Sequence, residues 1–274
     1  MFAGFMVNTW IAATMVALVA GVVGFFVVLR RAAFAAHVLP LGGFPGAAAA
    51  SLLGLNELYG LGVFCALGVV AISQLQRWER RDVATALWLA GSLALGTLFL
   101  SMTRQYAQGV YGLLFGEVLG VGRSQIALLA VLSAIALAAT ALLARALLLD
   151  SIASELGTAA GSSSRALELA FLAVLALSTA MALPVVGALM VFSLMVGPAC
   201  AARAFTDRPL SALALSAAIA LVTVWIGIAL AYLTDWPVGF FVGTFGAFSY
   251  GAGWVRGRSS GAGTVTSRGR TRDG

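Results

Sequence analysis

The sequence predicts an all-α polytopic membrane protein, a helical bundle with about nine transmembrane helices. Of its 274 residues, 61% are hydrophobic and 9% are charged, whereas soluble domains average roughly 45–50% apolar and about 25% charged residues. Apolar runs of about 18 residues or more, the length of a spanning helix, follow one another almost end to end. No soluble core could bury that much apolar surface.

The apolar runs predict nine spans, with the N-terminus outside and the C-terminus in the cytoplasm. The first run has no Lys or Arg before it and Arg30 and Arg31 after it. It is therefore expected to remain as an anchor and not to be cleaved as a signal peptide. The predicted spans are 5–29, 33–54, 59–76, 83–103, 125–147, 166–183, 185–202, 210–232 and 238–255.

The basic residues predict the orientation. All sixteen are Arg, and in the predicted topology only Arg104 and Arg123 fall outside. Because basic residues are retained on the cytoplasmic side, this distribution is typical of a multi-pass membrane protein and specifies its orientation. It also accounts for the sequence pI near 10.1. The arginines are not gathered on one surface, so they do not indicate nucleic-acid binding.

Composition divides the chain into a transmembrane domain at 1–256 and a basic cytoplasmic tail at 257–274. The tail is rich in Gly, Ser, Thr and Arg and is predicted to be disordered, because it has too little apolar surface to bury. Residues 104–124 are apolar but interrupted by Gly, with Glu117 in the middle. They are too short to cross and return as two helices, so a re-entrant or interfacial segment is expected.

A cytoplasmic stretch at 150–165 separates the fifth and sixth predicted spans. Ser154 is expected to cap a short helix that runs through Glu155 and Leu156 and that Gly161 ends, within 150–161. Such a helix has one apolar side and few charges. This composition suits docking onto a partner protein.

The second span carries the only histidine of the sequence and several helix-breaking residues. His37 lies near the inner start of the span, and an ionisable group inside a membrane is a candidate functional residue. Broken helices free backbone carbonyls that can line a substrate path, whereas small residues also allow close helix packing. Both interpretations stay open for Pro40, Gly42, Gly43, Pro45 and Gly46.

Four segments in order carry a family resemblance. They are RRAAFAAHVLPLGGFPG at 30–46, GVYGLLFGEVLGV at 109–121, SELGTAAG at 154–161 and ALPVVGALMVFSLMVGPACAARAFTDR at 182–208. Together they resemble the ABC-3 family, the permeases of zinc and manganese importers, over nearly all of residues 5–255. The second segment is the most specific, because it is similar to the family's Leu-Phe-Gly-(acidic)-x-Leu-Gly signature.

The resemblance implies the membrane-spanning permease subunit of an ABC-type importer for a divalent transition metal of the zinc or manganese class. It implies a homodimer in the bacterial inner membrane, with a cytoplasmic ATP-binding subunit, an extracellular or periplasmic solute-binding protein, and alternating access. Ser154, Glu155, Leu156 and Gly161 stand in the segment similar to the family's coupling helix, which docks on the ATPase.

The division of labour with the ATPase also follows from the residues. The chain has no Lys and hence no P-loop. The partner is therefore expected to use the ATP, and this chain is expected to be non-catalytic. It should hold no cofactor of its own and should bind the metal ion only as substrate.

The chain departs from the family pattern at the metal-contact pair. The family has an acidic residue and, about four positions later, a His on the second span; His37 and Leu41 stand at these two positions. His37 is therefore the candidate metal contact, since neutral imidazole binds zinc, copper, iron and nickel, whereas manganese prefers oxygen ligands. The alternative is a hydrogen-bonded structural histidine, the commoner role of a lone His on an apolar helix.

Two other functions stay open. One is a diverged ABC permease for a chelated metal or another small cargo, which the change at His37 and Leu41 would suit. The other is a secondary transporter or channel driven by an ion gradient. Such proteins usually need intramembrane carboxylates, but the acidic residues of this chain lie at span ends or in loops.

Overall fold

The computed structural model describes residues 4–55, 57–75, 81–102, 122–155 and 165–265. All regular secondary structure in these residues is α-helical, in ten helices. In chain order the helices are α1 (Gly4–Leu29), α2 (Ala33–Gly42), α3 (Phe44–Leu52), α4 (Glu57–Leu75), α5 (Arg81–Ser101), α6 (Arg123–Glu155), α7 (Arg165–Val186), α8 (Ala188–Phe205), α9 (Pro209–Thr234) and α10 (Val238–Val265).

Most of these helices are suited to lipid, because a helix satisfies its own backbone hydrogen bonds where no water can do so. Within the described residues, six segments are long and apolar enough to cross a membrane: Met6–Leu29, Ala33–Leu52, Glu57–Gln74, Gln125–Ser151, Arg165–Leu183 and Pro209–Thr234. Thr85–Ser101 and Met190–Phe205 are shorter apolar helices. The predicted all-α membrane bundle is confirmed, and the number of nine spans and the orientation stay predictions.

Helix α1 forms the centre of the packing. It lies against α6, α7, α8 and α9, and its Val16, Ala17, Ala20 and Val23 are at most 1% exposed. A second group consists of α3 with α4 and α5. Helix α2 contacts α7 and α8 from the first group and α4 and α5 from the second. The helix that carries His37 therefore joins the two groups, which also meet directly where α4 packs against α7.

Small residues bring the central helices close together. A Cβ atom on Gly21 would lie 2.6 Å from the Cα of Ala217 in α9, and the Ser216 hydroxyl donates a hydrogen bond of 2.7 Å to the Gly21 carbonyl. Between α8 and α10, a Cβ atom on Gly197 would lie 2.5 Å from the carbonyl oxygen of Gly246. Close contact of this kind supplies much of the attraction between helices in lipid, where the hydrophobic effect no longer acts between them.

The turn between α1 and α2 has a defined hydrogen-bond pattern. Arg31 has a φ of 56°, the Ala32 N–H donates to the Val27 carbonyl at 2.9 Å, and the Arg31 N–H donates to the Val28 carbonyl at 3.2 Å. These two bonds around a left-handed residue form a Schellman motif. The motif closes the end of α1 and starts α2 after only three residues, Arg30 to Ala32, so the two helices are closely connected.

The structure changes two of the predicted boundaries. Helix α6 is continuous through Glu155, so the prediction that Ser154 caps a new helix is wrong. Helix α10 continues to Val265, past the predicted start of the tail at 257. In both places a long helix already exists, and adding residues to it avoids the unfavourable step of nucleating a new one.

Two further predictions fall largely on residues that the structure does not describe. Of the predicted re-entrant stretch at 104–124, only the last three residues are described, and α6 begins at Arg123. The disorder predicted for the tail likewise stays a prediction for 266–274, which lie outside the described residues.

Candidate translocation site

The second predicted span is divided into two helices, as its helix-breaking residues indicated. Helix α2 ends at Gly42 and α3 begins at Phe44. Pro40 lies inside α2 and Pro45 lies in the first turn of α3. Neither proline has an N–H group, so the carbonyls of Ala36 and Leu41, four residues earlier, lose their ordinary helical donors. The two prolines thus interrupt the helical hydrogen bonding from Ala36, the residue before His37, onwards.

The glycines at the break pack against neighbouring helices. A Cβ atom on Gly46 would overlap the carbonyl oxygen of Gly60 in α4, and one on Gly43 would lie 2.8 Å from the Cys65 sulfur. A Cβ atom on Gly42 would lie 3.1 Å from the indole nitrogen of Trp88. Of the two interpretations of these residues, the structure directly supports close packing within one chain. Their role in lining a path stays a proposal.

His37 lies in the second turn of α2 and is half-buried. Its ring meets the ring of Phe192 from α8 edge to face, with the centroids 5.0 Å apart and the planes at 73°. The Nδ1 atom is buried and has no hydrogen-bond partner among the described residues. A buried imidazole nitrogen normally finds such a partner, so the described residues leave the hydrogen-bonding capacity of this nitrogen unused.

The position one turn after His37 supplies no second ligand. Leu41 lies four residues later on the same unbroken helix and is only 8% exposed. The nearby thiol of Cys65 donates to the Leu39 carbonyl with a sulfur-to-oxygen distance of 3.6 Å. Within the described part of the chain, no three His, Cys, Asp or Glu side chains come together in a metal-binding group. One chain therefore offers a single imidazole at this site.

The predicted coupling residues are described only in part. Ser154 and Glu155 are the last two residues of α6. Leu156 and Gly161 belong to residues 156–164, which lie outside the described part of the chain. The helix-to-partner contact predicted for these residues therefore stays a prediction.

Comparison with known families decides which proteins this bundle is related to. Residues 3–250 match the model of the ABC 3 transport family. The chain belongs to the ABC 3 transport family. The match covers helices α1 to α9 and the first thirteen residues of α10. The family resemblance of the four sequence segments is thereby confirmed, and this chain is a multi-pass membrane permease.

Two curated membrane proteins of metal transport systems are similar to this chain over most of their length. The manganese transport system membrane protein MntC of Listeria innocua is 26% identical over 233 residues, which are 84% of this chain and 82% of MntC. The high-affinity zinc uptake system membrane protein ZnuB of Buchnera aphidicola is 23% identical over 231 residues, 83% of this chain and 88% of ZnuB.

Solved structures share the fold of this ABC 3 permease. PsaBC from Streptococcus pneumoniae, solved in complex with a Fab, matches with a TM-score of 0.82 at 23% identity, over 93% of this chain and 94% of the other. An inward-facing ABC transporter assigned to the metal-chelate type matches with a TM-score of 0.63 at 16% identity, over 90% and 85% of the two chains. At these identities the likeness concerns the fold alone.

Sequence reasoning did not indicate Phe192, the residue whose ring packs on the candidate metal-binding residue His37 of this permease. Phe192 lies 155 positions after His37, inside an apolar run that has no distinguishing pattern. No local signal in the sequence separates it from the other aromatic residues of the spans. Only the crossing of α2 and α8 brings the two rings together.

Proposed function

We propose that this chain is the membrane-spanning subunit of an ABC importer that moves a divalent transition metal, with zinc favoured over manganese. The observation that carries the metal assignment is the half-buried imidazole of His37 at the family's metal-contact position, whose Nδ1 has no hydrogen-bond partner among the described residues. The named relatives supply the cargo class, since they transport manganese or take up zinc. Imidazole without a neighbouring carboxylate favours zinc over manganese, which prefers oxygen ligands.

A homodimer completes the site in this proposal. One chain presents one imidazole, and Leu41 takes the place of the family's second ligand. Zinc in proteins is commonly held by four ligands, of which water can be one or more in an open site. Two copies of His37 facing each other across a two-fold axis would supply two imidazoles through the exposed part of each half-buried ring, because Nδ1 is buried within its own chain, and water would complete the shell. Such incomplete ligation suits a cargo that must leave again.

Energy comes from a separate ATP-binding subunit in the proposed mechanism. The chain has no Lys and therefore no P-loop. Three acidic residues of the described helices lie in the first turn of a helix, Glu57, Asp82 and Glu168, and the other two, Asp150 and Glu155, lie in the last six residues of α6. Coupling to an ion gradient usually needs carboxylates deeper in the membrane, so ATP-driven alternating access fits the chain better.

The experiment that tests this function measures the metal content of cells. Cells without their own zinc and manganese importers would express the chain with its ATPase and solute-binding protein, under metal starvation. We expect the intact chain to raise cellular zinc, measured by mass spectrometry. His37→Ala should lower zinc uptake by at least about tenfold at equal membrane expression, the scale on which metal sites respond to altered ligand surroundings.

Two further variants separate ligand loss from general damage. Phe34→Ala truncates an exposed residue one turn earlier on α2 and should leave uptake within about twofold of the intact chain. His37→Asp introduces the carboxylate that the family carries and should shift the preference from zinc towards manganese. Unchanged zinc and manganese uptake in His37→Ala would contradict the assignment of His37.

A second candidate cargo is a chelated metal or another small solute. The buried apolar Leu41 at the second family position favours it, because a pre-chelated ion needs fewer protein ligands. In the same cells, this cargo predicts that free zinc and manganese do not accumulate whereas a supplied metal chelate does. His37→Ala would then leave uptake of the chelate intact.

A further inference from the structure

We propose that Arg30 is a positioning residue that links the ATPase-facing connector of this permease to helix α2. The connector is residues 156–164, between α6 and α7. The inference rests on the proposed function, because it assigns a residue that would carry the ATPase movement to His37.

Arg30 contacts both helices that flank the connector. Its Nη1 donates to Oδ2 of Asp150 in α6 at 2.7 Å, and the two side chains are only 12% and 16% exposed. The guanidinium carbon also lies 5.5 Å from the centre of the Phe171 ring in α7. Asp150 lies five residues before the end of α6, and Phe171 lies six residues after the start of α7. One side chain therefore joins the two helix ends to which the connector is attached.

The backbone at Arg30 connects directly to α2. The Arg30 N–H donates to the Phe26 carbonyl at 2.9 Å, which holds the residue against the end of α1. The Schellman motif of Arg31 and Ala32 follows at once, and α2 begins at Ala33. His37 lies seven residues after Arg30 along this path. A displacement of Arg30 is therefore expected to move the start of α2, since only the two hydrogen-bonded residues Arg31 and Ala32 separate them.

The chemistry of the pair makes it a firm link. A hydrogen bond between a guanidinium and a carboxylate is shorter and stronger than one between neutral groups. Because both side chains are largely buried, separating them would leave two charges in poorly solvated surroundings. The ends of α6, α7 and the α1–α2 turn are thus expected to move as one body when ATPase closure displaces the connector.

The neighbouring arginine shows that the position is specific. Arg31 carries the same charge one residue later, but its side chain is exposed and it occupies the left-handed position of the turn. Arg145 lies on the same helix as Asp150 and is also exposed. These two arginines provide matched controls for loss of charge at this end of the bundle.

The test measures metal transported per ATP hydrolysed in proteoliposomes that contain the complete transporter. The variants are Arg30→Gln, Asp150→Asn and the exchange Arg30→Asp with Asp150→Arg, with Arg31→Gln and Arg145→Gln as controls. We expect both single variants to keep the ATPase bound and to hydrolyse ATP, but to transport about tenfold less metal per ATP. The exchange should recover at least about half of the ratio, and the controls should match the intact chain.

A purely structural ion pair would give a different result. It would lower the yield of folded protein but leave metal per ATP unchanged in the molecules that remain, and this outcome would overturn the proposal. If the neutral variants do not accumulate, Asp150→Glu keeps both charges and lengthens the acidic side chain by one methylene. It should lower the ratio about threefold, and an unchanged ratio would also overturn the proposal. If no ATPase binds to the intact chain, the proposed function itself fails, which is a separate result.

Discussion

Replacing Gly46 by Ala is expected to destabilise the permease by about 3 kcal/mol or more and to remove most folded protein from the membrane. The added Cβ would overlap the carbonyl oxygen of Gly60 and lie 2.8 Å from Cδ2 of Phe64. The carbonyl belongs to the backbone of α4, so it cannot rotate away as a side chain could. Relief requires α3 and α4 to move apart, which opens the packing around the break. Thermal stability of the detergent-purified protein measures the effect.

The control for Gly46→Ala is Gly62→Ala, two residues after Gly60, the residue that Gly46 contacts. A Cβ on Gly62, also in α4, would meet no atom within 4 Å. Because Ala forms helices better than Gly by up to about 1 kcal/mol, Gly62→Ala should be neutral or slightly stabilising. The two substitutions should thus have opposite signs. Equal stability of Gly46→Ala and Gly62→Ala would show that the α3–α4 contact is looser than described.

Replacing Gly24 by Ala is the second change with a large expected effect, again about 3 kcal/mol of lost stability or more. The added Cβ would overlap the carbonyl oxygen of Met195 and lie 2.8 Å from its carbonyl carbon. This contact joins α1 to α8 in the centre of the bundle, where Met195 is fully buried. Moving α1 would also disturb its contacts with α6, α7 and α9. We expect aggregated protein in size-exclusion chromatography after mild heating.

Two control substitutions show whether the loss of stability in Gly24→Ala comes from the backbone contact. Gly243→Ala adds the same methyl group to α10 where no atom lies within 4 Å, and it should leave the protein intact. Ser216→Ala removes the hydrogen bond to the Gly21 carbonyl, and such bonds between membrane helices average about 0.6 kcal/mol. The expected order of damage is Gly24, then Ser216, then Gly243. A larger effect at Ser216 than at Gly24 would show that polar contacts, not backbone packing, dominate this bundle.

The packing of α1 and α3 has a consequence for transport. Both helices are held by contacts between backbones, which leave little freedom for small local adjustments. Movement during the proposed alternating access is therefore expected to involve groups of helices. Helix α2 contacts both groups of the bundle, and it carries His37. A shift of one group against the other would change the surroundings of His37 without unfolding the helix itself.

The candidate site shows where sequence reasoning was sufficient and where it was not. His37 could be selected from the sequence because it is the single histidine and stands at a family motif position. Its contact with Phe192 could not be, because the two residues are 155 positions apart in featureless apolar runs. The glycines at 42, 43 and 46 stand out in the sequence as helix-breaking residues, but the sequence leaves open whether they line a path or pack against helices.

The sequence by itself determined the all-α membrane class and the family, because apolar length and ordered motifs are local properties that lipid and ancestry constrain directly. Only the tertiary structure decided which faces of the helices meet. A helix such as α1 is apolar all round, so its sequence has no polar side to mark the outward face. The pairing of Arg30 with Asp150, 120 residues apart, likewise depends on how α1 and α6 pack side by side, and no local pattern of residues encodes that.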